Sequence, residues 1–445
     1  MGVKYSIIIP TLNEEYFLGQ NLKRLKSLNG DIEIIISDGG SSDKTIEIAR
    51  NFYAKIINSV KGRGTQLNTG AKIASGDIFI FLHADTYLPV NALKLIDDLF
   101  EDEKVQIARF KLGFDFQSKL LDLYTKLSKY NSLFTRFGDS AIIIRKEFFY
   151  KLNGFADRGT FEDVEFFNRA SKFFKIKLIN QHVESSARRF ISVGVLRQQL
   201  LNIFLFTGYL FKLDKSTLSF MYNNVSTKKL NNALIIFLRF PKTGEVKTRL
   251  AKTTSTDFAV KFYKSCAENI VKNVKKISGI NRFAFYSNED EKEKITKWLG
   301  SKLFYSPQQG ADLGTRMKNA FQKVFSTGAK KAIIIGTDVP DLSIDIITNA
   351  FNLLDSNDAV IGPAKDGGYY LLGIKKMYSE LFDGIEYSTD KVFSETLDRM
   401  EKLNLSYQLL PELQDIDTEE DLIRWLNESN HHDIKKEIKL AYETI

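Results

Sequence analysis

Three acidic stretches in the first part of the chain hold side chains arranged for chemistry. In IFIFLHADTYL, His83, Asp85 and Thr86 follow directly on an apolar run. A carboxylate in that position can hold a divalent cation, Mg or Mn, against a diphosphate leaving group, or it can cap a turn. In GTFEDVE, Glu162 and Asp163 stand side by side at a helix start. One of them can take the proton from an acceptor hydroxyl; the competing reading is an acidic first turn favoured by the helix dipole. In SDGGSSDKT, Asp38 precedes two glycines and two serines, a set able to bond a ribose or base, or to form a solvated turn. Lys61 and Arg63, in KGRG, add two cations on flexible backbone suited to phosphates.

A second set lies downstream. FPKTGEVKTRL places Lys242, Lys247 and Arg249 around Gly244. Lys247 and Arg249 can surround a phosphate, with backbone N–H groups near Gly244 completing the anion site; a basic surface turn is the alternative. The spacing is not that of a Walker loop. GADLGTRM is a glycine-containing loop leading into a helix, with Arg316 a second-turn cation able to face a nucleotide. IIIGTDVPDL sets Thr337 and Asp338 at a strand end, Asp338 as a metal-ligand candidate and Asp341 as the start of the next helix. In GPAKDGGYY, Asp366 stands beside Gly367 and Gly368, whose missing side chains admit a sugar or phosphate close to the backbone.

These residues need strand ends and helix starts to hold them. Residues 5–9, 32–37 and 78–82 are apolar runs of the buried parallel-strand kind, and 18–28 and 43–52 read as crossover helices. Ser41 and Ser42 are expected to cap the helix beginning at Asp43. Residues 192–213 form an apolar stretch broken by Arg197, Gln198, Gln199 and Asn202. Its uncharged part, 198–211, is too short to span a bilayer comfortably, and the stretch reads equally as an interfacial helix or as one packed on its own domain. Residues 214–231 turn polar. Strands then restart at 233–238, 282–286, 332–335, 359–362 and 369–372, with helices at 257–275 and 292–299. The expectation is α/β architecture in two tandem Rossmann-like domains, 1–213 and 232–445, joined by a linker at 214–231.

PTLNEE, SDGGSSDKT, HAD and FEDVEF together resemble the inverting glycosyltransferase family 2, over about residues 5–209. The resemblance implies a GT-A fold, a nucleotide-diphosphate sugar as donor and a divalent cation. It assigns Pro10, Glu14 and Asp38 to the nucleotide, Asp163 to the base with Glu162 as its neighbour, and Gly138 and Asp139 to the loop approaching acceptor and sugar. HAD occupies the family's Asp-x-Asp position, with His83 in place of the first Asp and Asp85 retained as metal ligand. HADT, GDSAIIIRKEFF and FEDVEFF are similar to a branch associated with arsenosugar biosynthesis; a lipid-linked or polyprenyl acceptor is the competing expectation. Residues 233–425 resemble the DUF2064 family, a GT-A-like group, through FPKTGEVKTRL, GADLGTRM, GTDVPDL, GPAKDGGYYLLG, YSTDKV and DIDTEEDL. Lys247, Arg249, Arg316, Asp338 and Asp366 carry over as site residues, with Asp390 and Asp417 behind them. Arg239 stands where relatives commonly have Lys, which keeps charge but changes geometry. Sugar transfer, nucleotidyl transfer and a binding scaffold all fit this half.

The bulk numbers set the frame. At 445 residues the chain is long enough for two cores. The formal charge of +8 is spread along helices, with no arginine-rich tail, so nucleic acid is not an expected partner whereas phosphates and anionic lipid are. A single cysteine, Cys266, cannot form an intramolecular disulfide, and no signal peptide is expected ahead of Tyr5. Cytoplasmic residence, with peripheral contact to the inner face of the membrane, is the corresponding expectation.

Overall fold

The computed structural model describes residues 4–116, 118–127, 138–156, 161–210, 231–300, 302–387, 389–429 and 432–443. The chain divides into two compact units, Met1–Lys228 and Lys229–Ile445. Most of the expected linker lies outside the described residues.

The first unit contains β1 (Lys4–Thr11), β2 (Asp31–Asp38), β3 (Lys55–Asn58), β4 (Ile78–Phe81), β5 (Thr86–Tyr87), β6 (Ile107–Phe114), β7 (Ile142–Arg145) and β8 (Lys177–Ser185). They form one sheet in the order β3-β2-β1-β4-β7-β6-β8-β5. β1 to β4 run parallel, and β7 lies antiparallel between β4 and β6. The chain leaves β1 toward β2 on one side and comes back as β4 on the other, so a crevice opens where the loops after β1 and β4 part.

The second unit contains β9 (Asn232–Leu238), β10 (Ile280–Tyr286), β11 (Phe304–Pro307), β12 (Lys331–Ile335), β13 (Ala359–Pro363), β14 (Tyr369–Ile374) and β15 (Tyr407–Leu409). Their order is β11-β10-β9-β12-β14-β13-β15. With the short β5 set aside, this is the order of the first sheet, down to the antiparallel strand beside the fourth. The chain is α/β, with two tandem Rossmann-like, GT-A-like sheets.

The strands read apolar because both faces are covered. Ile7 and Ile9 of β1 pack with Leu18 and Leu22 of the helix Glu15–Lys26, while Ile8 faces Phe79 and Phe81 on the other side. Phe79 and Phe81 meet Phe149, and Phe155 stacks on Phe166 with ring centroids 4.3 Å apart. Phe166 belongs to the helix Glu162–Ala170, so this aromatic layer anchors the acidic helix start to the sheet.

β3, β5, β6, β7 and β8 fall outside the expected strands of this unit. β6 reads IARFKLGF, with two cations in its middle, yet Arg109 is fully buried and donates to the Phe110 carbonyl at 3.2 Å. The helix expected at Asp43 begins at Thr45, and neither Ser41 nor Ser42 caps it. Ser41 Oγ donates to Asp38 at 2.5 Å, and Asp43 instead accepts the Thr45 N–H at 3.0 Å. Asp341 does not start its helix either. Ser343 caps Ile344–Leu353, while Asp341 accepts from Trp425 Nε1 at 2.8 Å and from Ser429 Oγ at 2.7 Å.

One buried carboxylate ties the first sheet together. Glu33 of β2 accepts from Lys55 of β3 at 2.6 Å, from Ser6 of β1, and from the Gly76 N–H at 3.1 Å ahead of β4. Burial works against its ionisation, but the Lys55, Ser6 and Ser75 hydrogen bonds prevail and hold its pKa down at about 2. A depressed carboxyl pKa stabilises the fold above the unfolded value and is lost as pH falls toward the folded one. Glu33→Gln is therefore expected to lower unfolding free energy by about 1–3 kcal/mol at neutral pH. In urea titrations the gap should narrow from about pH 4.5 down to pH 2; a gap constant with pH would count against it.

Candidate active sites

In the first unit, the loops after β1, β4 and β8 and the starts of two helices enclose a cavity of about 480 Å³. Pro10, Glu14, Lys61, Arg63, His83, Asp85, Asp139, Glu162 and Asp163 all line it. Residues scattered over the first 163 positions of the chain are thus brought to one place.

Several local devices hold them. Asn21, fully buried on the inner face of Glu15–Lys26, donates to the carbonyls of His83, Ala84 and Thr86 at 3.2, 3.0 and 3.0 Å, so it shapes the loop carrying Asp85. Gln66, on the helix Arg63–Lys72, donates to the carbonyls of Thr11 and Ser37 at 2.8 and 2.9 Å, joining this helix to the ends of β1 and β2. Gly64 lets the same helix approach the acidic one, since a Cβ there would lie 3.1 Å from the Ala156 carbonyl and 3.4 Å from the Glu162 side chain.

The charges inside alternate. Arg188 donates to both carboxylate oxygens of Glu14 at 2.8 and 2.9 Å and stands 3.1 Å from Asp85. His83 Nδ1 lies 2.9 Å from Asp139, and Arg63 lies 3.3 Å from Glu162. Burial disfavours the Asp139 carboxylate, but the His83 hydrogen bond and the charges of Arg63 and Arg189 outweigh it and hold its pKa well below the usual range. Burial pushes the Glu14 carboxyl upward against the pull of Arg188. Glu162 and Asp163 are 2% and 8% exposed; Asp163 Oδ1 accepts the Val164 N–H at 2.8 Å. Glu165, on the same first turn, is paired with Arg169 at 2.7 Å instead.

Asp38 stands apart from the cavity wall, which receives Thr11 at this place. Both Asp38 oxygens serve the loop itself, accepting from Thr11 and Ser41 hydroxyls and from the Gly40 and Ser41 N–H groups at 2.5–2.9 Å. Gly138 begins the short 3-10 turn that carries Asp139. Arg188, Arg189 and Gln66 line the cavity without having been singled out in the sequence.

In the second unit, Lys247 is the pivot. Its backbone is left-handed, φ 46° and ψ 46°, unusual for a residue with a side chain, and its side chain is 5% exposed. The ammonium lies 2.7 Å from Asp417 and 3.4 Å from Asp338. Burial works against its charge, yet those two carboxylates hold its pKa above the usual lysine range. Arg249, 75% exposed, approaches the other Asp417 oxygen at 3.6 Å, so Lys247 and Arg249 bracket one anionic group. Ile416, between Asp415 and Asp417, is fully buried, while the two carboxylates flanking it are partly exposed. Burial, then the charges of Asp366, Asp417 and Asp338, raise the Asp415 carboxyl to about 7. Asp415 was not among the expected residues.

The other expected residues of this unit have these positions. Asp366 accepts the Gly368 N–H at 2.9 Å. Gly367 has φ 86°, and a Cβ there would lie 2.1 Å from the Asp390 carbonyl oxygen. Gly244 also has positive φ, 79°, in the loop before Lys247. Arg316 folds back to donate to the Gly310 carbonyl at 3.0 Å, and Lys242 pairs with Glu245.

A divalent cation can be tested against these donors. Among the described residues, no group of three or more His, Cys, Asp or Glu is arranged to hold a metal. In each unit, however, two carboxylates meet on one cationic head: Glu14 and Asp85 on Arg188, Asp338 and Asp417 on Lys247. The first cavity also has five carboxylates against four Lys and Arg side chains, so an entering diphosphate adds unbalanced negative charge. These donor sets fit a cation that arrives with a diphosphate and draws most of its ligands from phosphate and water.

Comparison with known proteins agrees with the two halves. Residues 6–159 match the family described as Glycosyl transferase family 2, and residues 270–389 match the family described as Uncharacterized protein conserved in bacteria (DUF2064). The 4,4'-diaponeurosporenoate glycosyltransferase of Staphylococcus haemolyticus is 37% identical over 91 residues, 19% of this chain and 24% of that relative. An uncharacterized glycosyltransferase of Haemophilus influenzae is 28% identical over 203 residues, 43% of this chain and 80% of the relative. Among solved structures, a candidate nucleotide-diphospho-sugar transferase from Desulfovibrio desulfuricans G20 is 30% identical, with TM-score 0.45, covering 48% of this chain and 97% of that one.

Proposed function

We propose that the first unit transfers a sugar, with inversion, from a nucleotide-diphosphate donor to an acceptor hydroxyl. The observation that carries this reading is the convergence of Asp85, Asp163 and Glu162 with Arg63, Arg188 and Arg189 on one cavity at the switch point of the sheet. Lys61, Arg63 and the N-terminus of the helix Arg63–Lys72 face the diphosphate, while Arg188 orients Asp85 and Glu14. Mg or Mn, held by Asp85 and the donor, would neutralise charge on the departing nucleoside diphosphate. Asp163 takes the acceptor proton, and Glu162, paired with Arg63, keeps that arginine aimed into the cavity. The acceptor is a small molecule of the arsenosugar route. A lipid-linked acceptor is the second reading, favoured by Leu112, Phe114, Phe190 and Leu205 on the cavity wall.

The second unit is the site of a separate transfer, of a sugar or a nucleotidyl group, with Lys247, Arg249 and Arg316 on the nucleotide phosphates. Asp338 and Asp417 would hold the cation, with Asp366 at the reacting group. The Lys247 and Arg249 bracket around Asp417 supports this, because it shows an anion already seated between them. Full-length protein incubated with nucleotide sugars, and separately with nucleoside triphosphates plus sugar phosphates, tests both halves. Released nucleoside diphosphate reports sugar transfer, and pyrophosphate reports nucleotidyl transfer. Lys247→Ala/Arg249→Ala is expected to weaken the second reaction by about 10- to 100-fold per lost phosphate contact, leaving the first intact. Equal loss of both reactions in a folded variant, or of neither, counts against two independent sites. A second unit that turns over and binds none of these compounds supports the scaffold reading for that half.

A further inference from the structure

The helix Val195–Leu210 is apolar on both faces. Its inner face buries Leu201, Leu205 and Phe206 beside Gln198, which is 5% exposed, lines the cavity with Asn202, and donates to the Asn202 Oδ1 at 2.7 Å. Four more large apolar side chains face outward, Leu196 at 64%, Leu200 at 67%, Ile203 at 61% and Phe204 at 54% exposure. Positions 196, 200, 203 and 204 recur with the helical period and make one ridge. The helix Lys119–Leu127 packs beside it and exposes Leu123 as well. Single exposed leucines are ordinary, but several large apolar side chains contiguous on one helix face mark an interaction surface.

Charge and length narrow the occupant. The two helices carry Lys119, Lys126 and Arg197 against one acid, Asp122, and Arg197 is exposed beside Leu196. At about 1.5 Å per residue the longer helix spans less than the roughly 30 Å hydrocarbon core, and among the described residues no helix is long and apolar enough to cross a membrane. A second copy of the chain fits less well. A stable protein interface takes about 800 Å² per partner, and a two-fold would bring like charges together.

We infer that this ridge docks the first unit on an anionic phospholipid surface, with the helix lying in the headgroup plane and its amide face kept on the cavity. The inference stands apart from the identity of donor and acceptor, because it rests on the outer face of the helix alone. Full-length protein is sedimented with vesicles of phosphatidylcholine, and with vesicles of phosphatidylcholine and phosphatidylglycerol in equal amounts. Binding to the anionic vesicles is expected to be at least about tenfold tighter, weakened but not abolished by salt, since apolar insertion persists when charge is screened. Leu200→Glu/Phe204→Glu should lose binding by at least about 100-fold while keeping its circular dichroism and thermal midpoint. If that variant fails to fold, Leu196→Ser/Ile203→Ser carries the same test on the same ridge. Wild-type protein left in the supernatant with both vesicles overturns the inference, as does vesicle binding unchanged in a folded variant. A dimer in solution that the variant dissolves, without vesicle binding, overturns it in favour of a subunit interface.

Discussion

Asp85→Asn is expected to cut sugar transfer by the first unit by at least about 100-fold, the scale set by losing a preorganised charge at a developing leaving group. The substitution keeps size and shape, so the loop held by Asn21 should persist. It removes one of the two carboxylates on Arg188 and leaves the bidentate Glu14 pair intact. Fold and cavity are therefore expected to survive while the diphosphate loses its cation ligand. Initial rates at saturating donor and saturating Mg or Mn check this. Wild-type turnover under those conditions would remove Asp85 from the chemistry.

Asp163→Asn should lower the single-turnover rate by about 10²- to 10⁴-fold, the usual contribution of a positioned base, with donor affinity changed little. Glu162→Gln is expected to behave differently. Its carboxylate is 3.3 Å from Arg63, a cation on the phosphate side of the cavity, so its loss should act mainly on donor affinity. Measuring both constants for both variants separates the roles. If Glu162→Gln loses the chemical step while Asp163→Asn keeps it, the base is the neighbour. If both lose it equally, the pair shares the proton and neither is the base alone.

The candidate residues divided by how local their signals are. Asp85, Glu162, Asp163, Lys247 and Asp338 were legible because each adjoins a recognisable strand end or helix start, and a short window of chain shows that. Arg188 and Arg189 adjoin no such signal. Their place on the cavity wall depends on β8 delivering them across the sheet to Asp85 and Asp139, more than 40 residues upstream. Asn21 and Gln66 look like polar residues on ordinary helices, and only the packed fold reveals which carbonyls they hold. Asp415 has no local signal, because its environment is made by carboxylates from other loops.

What the sequence determined by itself was the architecture of two α/β halves and the placing of carboxylates and glycines at their strand ends. Burial on both faces forces continuous apolar strands, and close backbone approach and strand-end loops demand glycine and carboxylate in short, readable runs. The tertiary structure decided which side chains meet and which way each one points. It turned Asp38 into its own loop, where hydroxyls and backbone N–H groups satisfy it. It also put Gln198, Leu201 and Leu205 of Val195–Leu210 inward and Leu196, Leu200, Ile203 and Phe204 outward, which no periodicity could assign in a helix apolar on both faces.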